Sequence, residues 1–220
     1  MFKNFSKKFI LFNFFLAGFI LIFLGGCAKK EEQKNMQEVT TLLAKKQALI
    51  IIAFNGYQDK EYEDTRKELE LNGVKIIVVS NFKGVARGSL GGNVNVNILI
   101  SEVKVDQYDA IIFIGGPGVA TVFQENLEAH RLAKEAISQN KVLGAICIGP
   151  TILAKAGVLK NKKATVWSSF TDKSPIEILK QGEAEFVNQD VVVDGKIITA
   201  NGPQVAKDFG KAIVKALRKL

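Results

Sequence analysis

The sequence predicts an α/β fold, a three-layer sandwich with a mostly parallel sheet. Three observations carry that expectation. Short unbroken apolar runs, fit for strands covered on both faces, recur at Ala48 to Phe54, Val74 to Val79, Tyr108 to Ile114 and Val142 to Ile146. Segments of helical character stand between them, at Asp59 to Leu71 and Asn126 to Gln139, so the chain reads as repeated strand, helix, strand. Two of the runs end in tight turns, Gly115-Gly116-Pro117-Gly118 and Cys147-Ile148-Gly149-Pro150, at strand ends of the kind where such sandwiches bind ligands.

The 220 residues are 47% hydrophobic, enough for one substantial core and one domain. The beginning reads differently. Lys3, Lys7 and Lys8 precede an apolar run from Phe9 to Leu24 in which Asn13 is the one strongly polar member. Residues 1–26 therefore read as an export signal or membrane anchor. The run is short for a transmembrane helix, which wants about 20 apolar residues. Leu24-Gly25-Gly26-Cys27 resembles the lipobox of bacterial lipoproteins, which implies a lipid on Cys27 and residence on the exported side of the cytoplasmic membrane or in the periplasm. An uncleaved anchor helix, with Cys27 a bystander, is the alternative. Residues 27–47, rich in Lys, Glu and Gln, form a polar tether, and 48–220 form the folded domain.

Within that domain Asn72-Gly73 stops the first helix. Phe82 to Asn97, rich in Gly and Asn, reads as a loop or small hairpin. Pro150 to Ala156 continues as a helix stopped by Gly157, and Ala164 to Trp167 is a short strand. Asp194-Gly195 between Val191–Val193 and Ile197–Thr199 is a hairpin signal. Pro203 to Leu217 closes the chain as an amphipathic helix, with Val205, Phe209, Ile213 and Ala216 near one face.

Charge and cysteine content narrow the functions. The net charge is +8, and +5 from Cys27 onward. No basic cluster laced with aromatics is present, so nucleic acid is not an expected partner. Contact with anionic lipid headgroups, or plain lysine richness, accounts for the excess. There are two cysteines, and a lipidated Cys27 leaves Cys147 without an intrachain partner. A lone thiol in an exported chain is either reactive or packed in the core. No cofactor and no metal are expected.

Ala145-Ile146-Cys147-Ile148-Gly149-Pro150 has small residues two before and two after the thiol, a strand leading in and a helix leading out. That is the context of a nucleophile elbow with Cys in the serine's place. Backbone N–H groups at the helix start favour the thiolate, so a depressed thiol pKa is expected. Gly115-Gly116 lets the backbone come close and direct N–H groups inward. The N–H groups of Gly116 and Ile148 are the candidate oxyanion donors.

These stretches resemble the ThiJ/PfpI family of the class I glutamine amidotransferase-like superfamily, with its flavodoxin-like sheet. Gly115 to Gly118, Ala145 to Thr151, Leu153 to Leu159, Lys162 to Thr165 and Asp194 to Pro203 carry the resemblance, which runs from about Ala48 to the C-terminus. It implies a homodimer and assigns Glu61 to the family's conserved glutamate, whose carboxyl group touches the nucleophilic cysteine. A protonated carboxylic acid there donates a hydrogen bond to the thiolate, and the two groups titrate as a coupled pair.

The chain also departs from that family. PfpI-type proteases carry His immediately after the cysteine, and here it is Ile148. Their acid after the glycine pair is missing from Pro117-Gly118-Val119-Ala120. Thr165 to Ser169, where other members place a histidine, offers Trp167 and Ser168. The sole histidine, His130, falls in a helix as a surface or packing residue. No Cys–His pair is present for triad chemistry. Two readings remain. One is a membrane-tethered, cysteine-dependent hydrolase, lyase or deglycase acting on small carbonyl, amide or peptide substrates. The other is a non-catalytic oxidation-sensing or binding domain that uses Cys147. A cleft lined by Tyr57, Ile148 and Trp167 alone favours the second, and a further imidazole, amide or carboxylate near Cys147 favours the first.

Overall fold

The computed structural model describes residues 41–220, and one compact unit spans Leu42–Leu220. Residues 1–26, Cys27 and most of the 27–47 tether lie outside the described residues.

The elements follow in chain order. Strand β1 (Gln47–Ile51) and the short β2 (Asn55–Tyr57) precede helix α1 (Asp59–Leu71) and strand β3 (Lys75–Ser80). Strands β4 (Gly84–Gly88), β5 (Asn93–Val96), β6 (Ile98–Leu99) and β7 (Ala110–Phe113) come next, followed by helices α2 (Pro117–Val122) and α3 (Leu127–Ser138). Then come β8 (Val142–Ile146), α4 (Pro150–Lys155), β9 (Lys163–Ala164), α5 (Ser174–Gln181) and β10 (Glu185–Phe186). The hairpin β11 (Val191–Asp194) and β12 (Ile197–Ala200) leads to α6 (Ala206–Leu217).

Seven strands form one sheet in the order β11-β12-β8-β7-β1-β3-β6. Every neighbouring pair is parallel except the β11–β12 hairpin. Strands β7 and β8 are buried at every residue, as helices on both faces require. Alternation divides their side chains between two cores. Leu49, Ile51, Ile111, Phe113, Leu143 and Ala145 join the apolar side chains of α3, α4 and α5 in one cluster. Gly144 faces the opposite layer, where an added Cβ would meet Phe209 at 3.0 Å and Ile213 at 3.2 Å. Those two residues belong to the buried stripe of α6, which packs beside α1.

The expected sandwich is present, with local differences. Phe82 to Asn97 contains the antiparallel hairpin β4–β5, which joins β2 in a separate three-stranded sheet. The strand expected at Ala164 to Trp167 shrinks to Lys163–Ala164, paired with β10. The C-terminal helix begins at Ala206 after a 3₁₀ turn at Pro203–Val205. Among the described residues no helix is long and apolar enough to cross a membrane.

Candidate active site

The parallel register brings the two turns together. Phe113 pairs with Ile51 on one side and Ala145 on the other, so Gly115 and Cys147, each two residues beyond a paired position, emerge side by side. Glycine is required between them. A Cβ on Gly115 would lie 2.5 Å from the Cβ of Cys147 and 2.8 Å from Oε2 of Glu61.

Cys147 has φ of 60°, in the left-handed region that a non-glycine residue occupies only at a cost of about 1–2 kcal/mol. Its neighbours hold it there. Its N–H donates to the carbonyl of Ala200 at 2.9 Å, and its carbonyl accepts from the N–H of Trp167 at 2.9 Å. Gly149 donates to the Ile146 carbonyl at 2.9 Å, which closes the turn before α4 begins at Pro150. Strand β8, the turn at Cys147 and helix α4 therefore follow one another directly. Cys147 is a free thiol, half-buried.

Glu61 sits in the first turn of α1 and is fully buried. Three hydrogen bonds place it. Gln58 caps the helix, its side-chain oxygen accepting from the Glu61 N–H at 2.8 Å. The Gln58 N–H donates to the Gly115 carbonyl at 2.9 Å. The Gly115 N–H donates to Oε2 of Glu61 at 2.9 Å. The ring Gln58–Glu61–Gly115 thus ties the helix start to the turn beside the thiol. Oε1 of Glu61 is buried without a hydrogen-bond partner, and the thiol of Cys147 is the titratable neighbour coupled to the carboxyl group.

Burial pushes the Glu61 carboxyl up to about 7, against the opposing pull of Cys147 and the Gly115 amide. Burial also pushes the Cys147 thiol up, and the charge of Glu61 adds to that, while the N–H groups of Ile148 and Gly116 favour the thiolate. The expected depression of the thiol is therefore corrected. Desolvation and a neighbouring carboxylate outweigh the two amides and the helix start. The pair gives up its first proton near the Glu61 value of about 7 and holds the second far above an ordinary thiol, because a second negative charge would have to enter the same buried space.

The two amides expected as oxyanion donors lie beside the thiol. The amides of Gly116 and Ile148 both act on the sulfur. Gly116, with φ of 115°, packs so closely on the Gly56–Gln58 backbone that a Cβ would come within 2.5 Å of the Gln58 nitrogen. His130 is occupied elsewhere, its Nε2 donating to the carbonyl of Gln124 at 2.8 Å. Cys27 lies outside the described residues. Among the described residues, no group of three or more His, Cys, Asp or Glu side chains is arranged to hold a metal ion.

A cleft of about 390 Å³ opens over Cys147, walled by Pro117, Ala120, Ile148, Trp167 and Pro203, with Gln58 at its edge. Tyr57 does not line it and belongs instead to a separate groove along α1 and β3. The carboxamide of Gln58 was not singled out by sequence reasoning. A polar residue just before a helix, three positions ahead of Glu61, was its only local signal.

A half-buried cysteine backed by a buried carboxyl group lies at the carboxyl ends of the parallel sheet of an α/β protein. The profile of the DJ-1/PfpI family matches residues 46–216, and the chain belongs to that family. It is 40% identical over 173 residues to an uncharacterized protein of Methanocaldococcus jannaschii, covering 79% of this chain and 83% of that one. It is 31% identical to a deglycase of Thermococcus kodakarensis, covering 77% of this chain and 99% of that one. The crystal structure of a ThiJ/PfpI domain protein from Brachyspira murdochii superposes with a TM-score of 0.75 at 34% identity, covering 79% of this chain and 97% of that one.

Proposed function

We propose that this protein is a cysteine-dependent enzyme of the deglycase type, acting on small carbonyl compounds. The observation that carries the reading is Cys147, which opens to a cleft of about 390 Å³ and is backed by the buried carboxyl of Glu61, held up to about 7 by burial. In the form with the thiolate and a protonated Glu61, sulfur adds to an aldehyde carbon. The S–C bond forms, the carbonyl π pair moves onto oxygen, and the proton on Glu61 is available to neutralise it. With a 2-oxoaldehyde, the proton on the former aldehyde carbon moves through an enediol to the neighbouring carbonyl carbon, which leaves a thioester and a hydroxyl. Water then adds to the thioester carbon, the S–C bond breaks and Cys147 departs as the thiol. The aldehyde carbon rises to the acid level as the adjacent ketone falls to a hydroxyl, so no outside oxidant is needed. The test is a panel of 2-oxoaldehydes and their thiol and amine adducts, followed by formation of the 2-hydroxy acid. Wild type should turn over, and Cys147→Ser and Glu61→Leu should not. Turnover unchanged in Cys147→Ser would sink the proposal.

The second reading, an oxidation-sensing or binding domain, is favoured by the absence of any imidazole from the cleft lining. It predicts no turnover and, under dilute peroxide, a Cys147 peptide heavier by one or two oxygens.

The tether belongs to the same proposal. Residues 1–26 serve as the export signal, Cys27 carries the lipid, the residues up to 41 form the tether, and the domain from Leu42 onward acts at the membrane's exported side. Cys27→Ala should abolish lipid labelling and release the protein from the membrane fraction. The domain works as a homodimer, and a monomer mass by light scattering at micromolar concentration would count against that.

A further inference from the structure

The cleft above Cys147 has an unusual composition for a site that handles carbonyl compounds. Five side chains wall it, and all are apolar: Pro117, Ala120, Ile148, Trp167 and Pro203. Among the described residues, Gln58 is the one polar side chain besides the thiol, and no charged side chain lines the cleft. The residue after the cysteine and the Thr165–Ser169 segment contribute Ile148 and Trp167 to this wall.

We infer that the site selects uncharged carbonyl compounds bearing a flat apolar substituent, with Trp167 as the specificity-determining wall and Gln58 as the only polar side chain available for orientation. This rests on the reading of Cys147 as the group that meets the carbonyl carbon. Three arguments support the ligand class. The first is charge. Once the Cys147–Glu61 pair has lost a proton it holds one negative charge, and a carboxylate or phosphate on the substrate would bring a second into a lining without Lys or Arg. The second is hydration. A sugar-like substrate would strip its hydroxyl groups of water against five apolar walls with one carboxamide to replace it. The third is the aromatic itself. Trp167 is 36% exposed, so part of a large apolar ring faces solvent in the free protein and gains by being covered. Its backbone N–H donates to the Cys147 carbonyl at 2.9 Å, which ties the Trp167 backbone to that of the cysteine. The volume of about 390 Å³ suits one small ring system with its carbonyl arm.

The experiment reads the cleft without requiring turnover. Cys147 of the full-length protein is alkylated with iodoacetamide, N-benzyl iodoacetamide and iodoacetate, the Cys147 peptide is followed by mass spectrometry, and each rate is divided by that of N-acetylcysteine. The benzyl reagent should be favoured over iodoacetamide by at least about tenfold, and iodoacetate disfavoured by a similar factor. In Trp167→Ala the benzyl preference should fall towards that of the free thiol. A second readout uses the chain's single tryptophan. In Cys147→Ser, benzaldehyde should quench Trp167 fluorescence saturably, and glyoxylate should not. Wild-type ratios equal to those of N-acetylcysteine, or iodoacetate as fast as iodoacetamide, would overturn the inference. Selectivity without turnover of any aldehyde would leave this ligand class standing and remove the enzyme reading. Turnover without selectivity would do the reverse.

Discussion

Two carboxylates open helix α1, and the fold treats them in opposite ways. Asp59 and Glu61 are two residues apart and almost out of water, at 6% and 0% exposure. Asp59 is surrounded by donors. Its oxygens accept from the N–H groups of Leu90 at 2.7 Å and Gly92 at 2.6 Å, with the Ser89 hydroxyl at 3.4 Å. Gly88 and Gly92 have no room for a Cβ against it. Glu61 has one donor, the Gly115 amide, and one bare oxygen beside a thiol. A buried carboxylate whose lone pairs are satisfied is a staple between α1 and the β4–β5 loop. One left short of partners keeps its proton up to about pH 7 and can exchange it with a neighbour.

The largest effect should come from the staple. Asp59→Ala leaves the Leu90 and Gly92 amides without their acceptor. Hydrogen bonds to a charged group contribute about 1.5–3 kcal/mol each, so a loss of about 3–6 kcal/mol is expected in urea unfolding. Asp59→Asn, which keeps an acceptor oxygen, should lose less. A cost below about 1 kcal/mol for the alanine variant would show that the loop does not depend on this carboxylate.

Glu61 should behave with the opposite sign. Its carboxyl lies at about 7 in the folded protein, raised from 4.5 by burial, so the folded state keeps the proton longer than the unfolded chain does. Stability is therefore full below about pH 4.5 and declines as pH rises to about 7, by on the order of 3 kcal/mol. Glu61→Gln carries no such loss and still offers an acceptor to the Gly115 amide. Relative to wild type, it should gain stability between pH 4.5 and pH 8, measured as the difference in urea midpoints. A difference that stays flat with pH would mean that Glu61 is as well satisfied as Asp59.

How far the sequence foresaw this depends on the range of the forces involved. Strands β1, β3, β7 and β8 were legible because parallel strands buried on both faces need unbroken apolar runs. The strand before Cys147 and the helix after it were legible because an apolar run followed by small residues and Pro150 is a local pattern. Helix α5 was missed, since its Ser174-Pro175 start follows a polar loop and its apolar positions are few. The strand expected at Ala164 to Trp167 stopped early, since the Thr165 N–H donates to the Thr199 hydroxyl and the Trp167 N–H to the Cys147 carbonyl. Asp59 and Glu61 look alike in sequence, two acids in a first turn where the helix dipole favours them. Their partners lie about thirty and more than fifty residues away, at Leu90 and Gly115. Only the family resemblance picked out Glu61. The thiol's shift was expected in the wrong direction for a related reason. Helix starts can be read locally, whereas depth of burial cannot.

The finest test of the contrast is the pH dependence of Cys147 alkylation. In wild type the first proton leaves the pair near the Glu61 value of about 7, and a share of the resulting monoanion is thiolate with a protonated carboxyl. The iodoacetamide rate should therefore rise with a midpoint near 7 and level off. Glu61→Leu removes the proton holder but leaves the sulfur buried, with only the Ile148 and Gly116 amides in its favour. Its midpoint should move above the ordinary thiol value of about 8.5, and the rate at pH 7.5 should fall about tenfold. Glu61→Gln keeps a donor near the sulfur and should fall between the two. Asp59→Asn, assayed where it is fully folded, should leave the wild-type midpoint unmoved, because its carboxyl group bonds the Ser89–Gly92 loop and not the thiol. Identical profiles in wild type and Glu61→Leu would reduce Glu61 to a second structural acid. A midpoint that moves with Asp59 instead would mean that the β4–β5 loop, and not the elbow, sets the reactivity of Cys147.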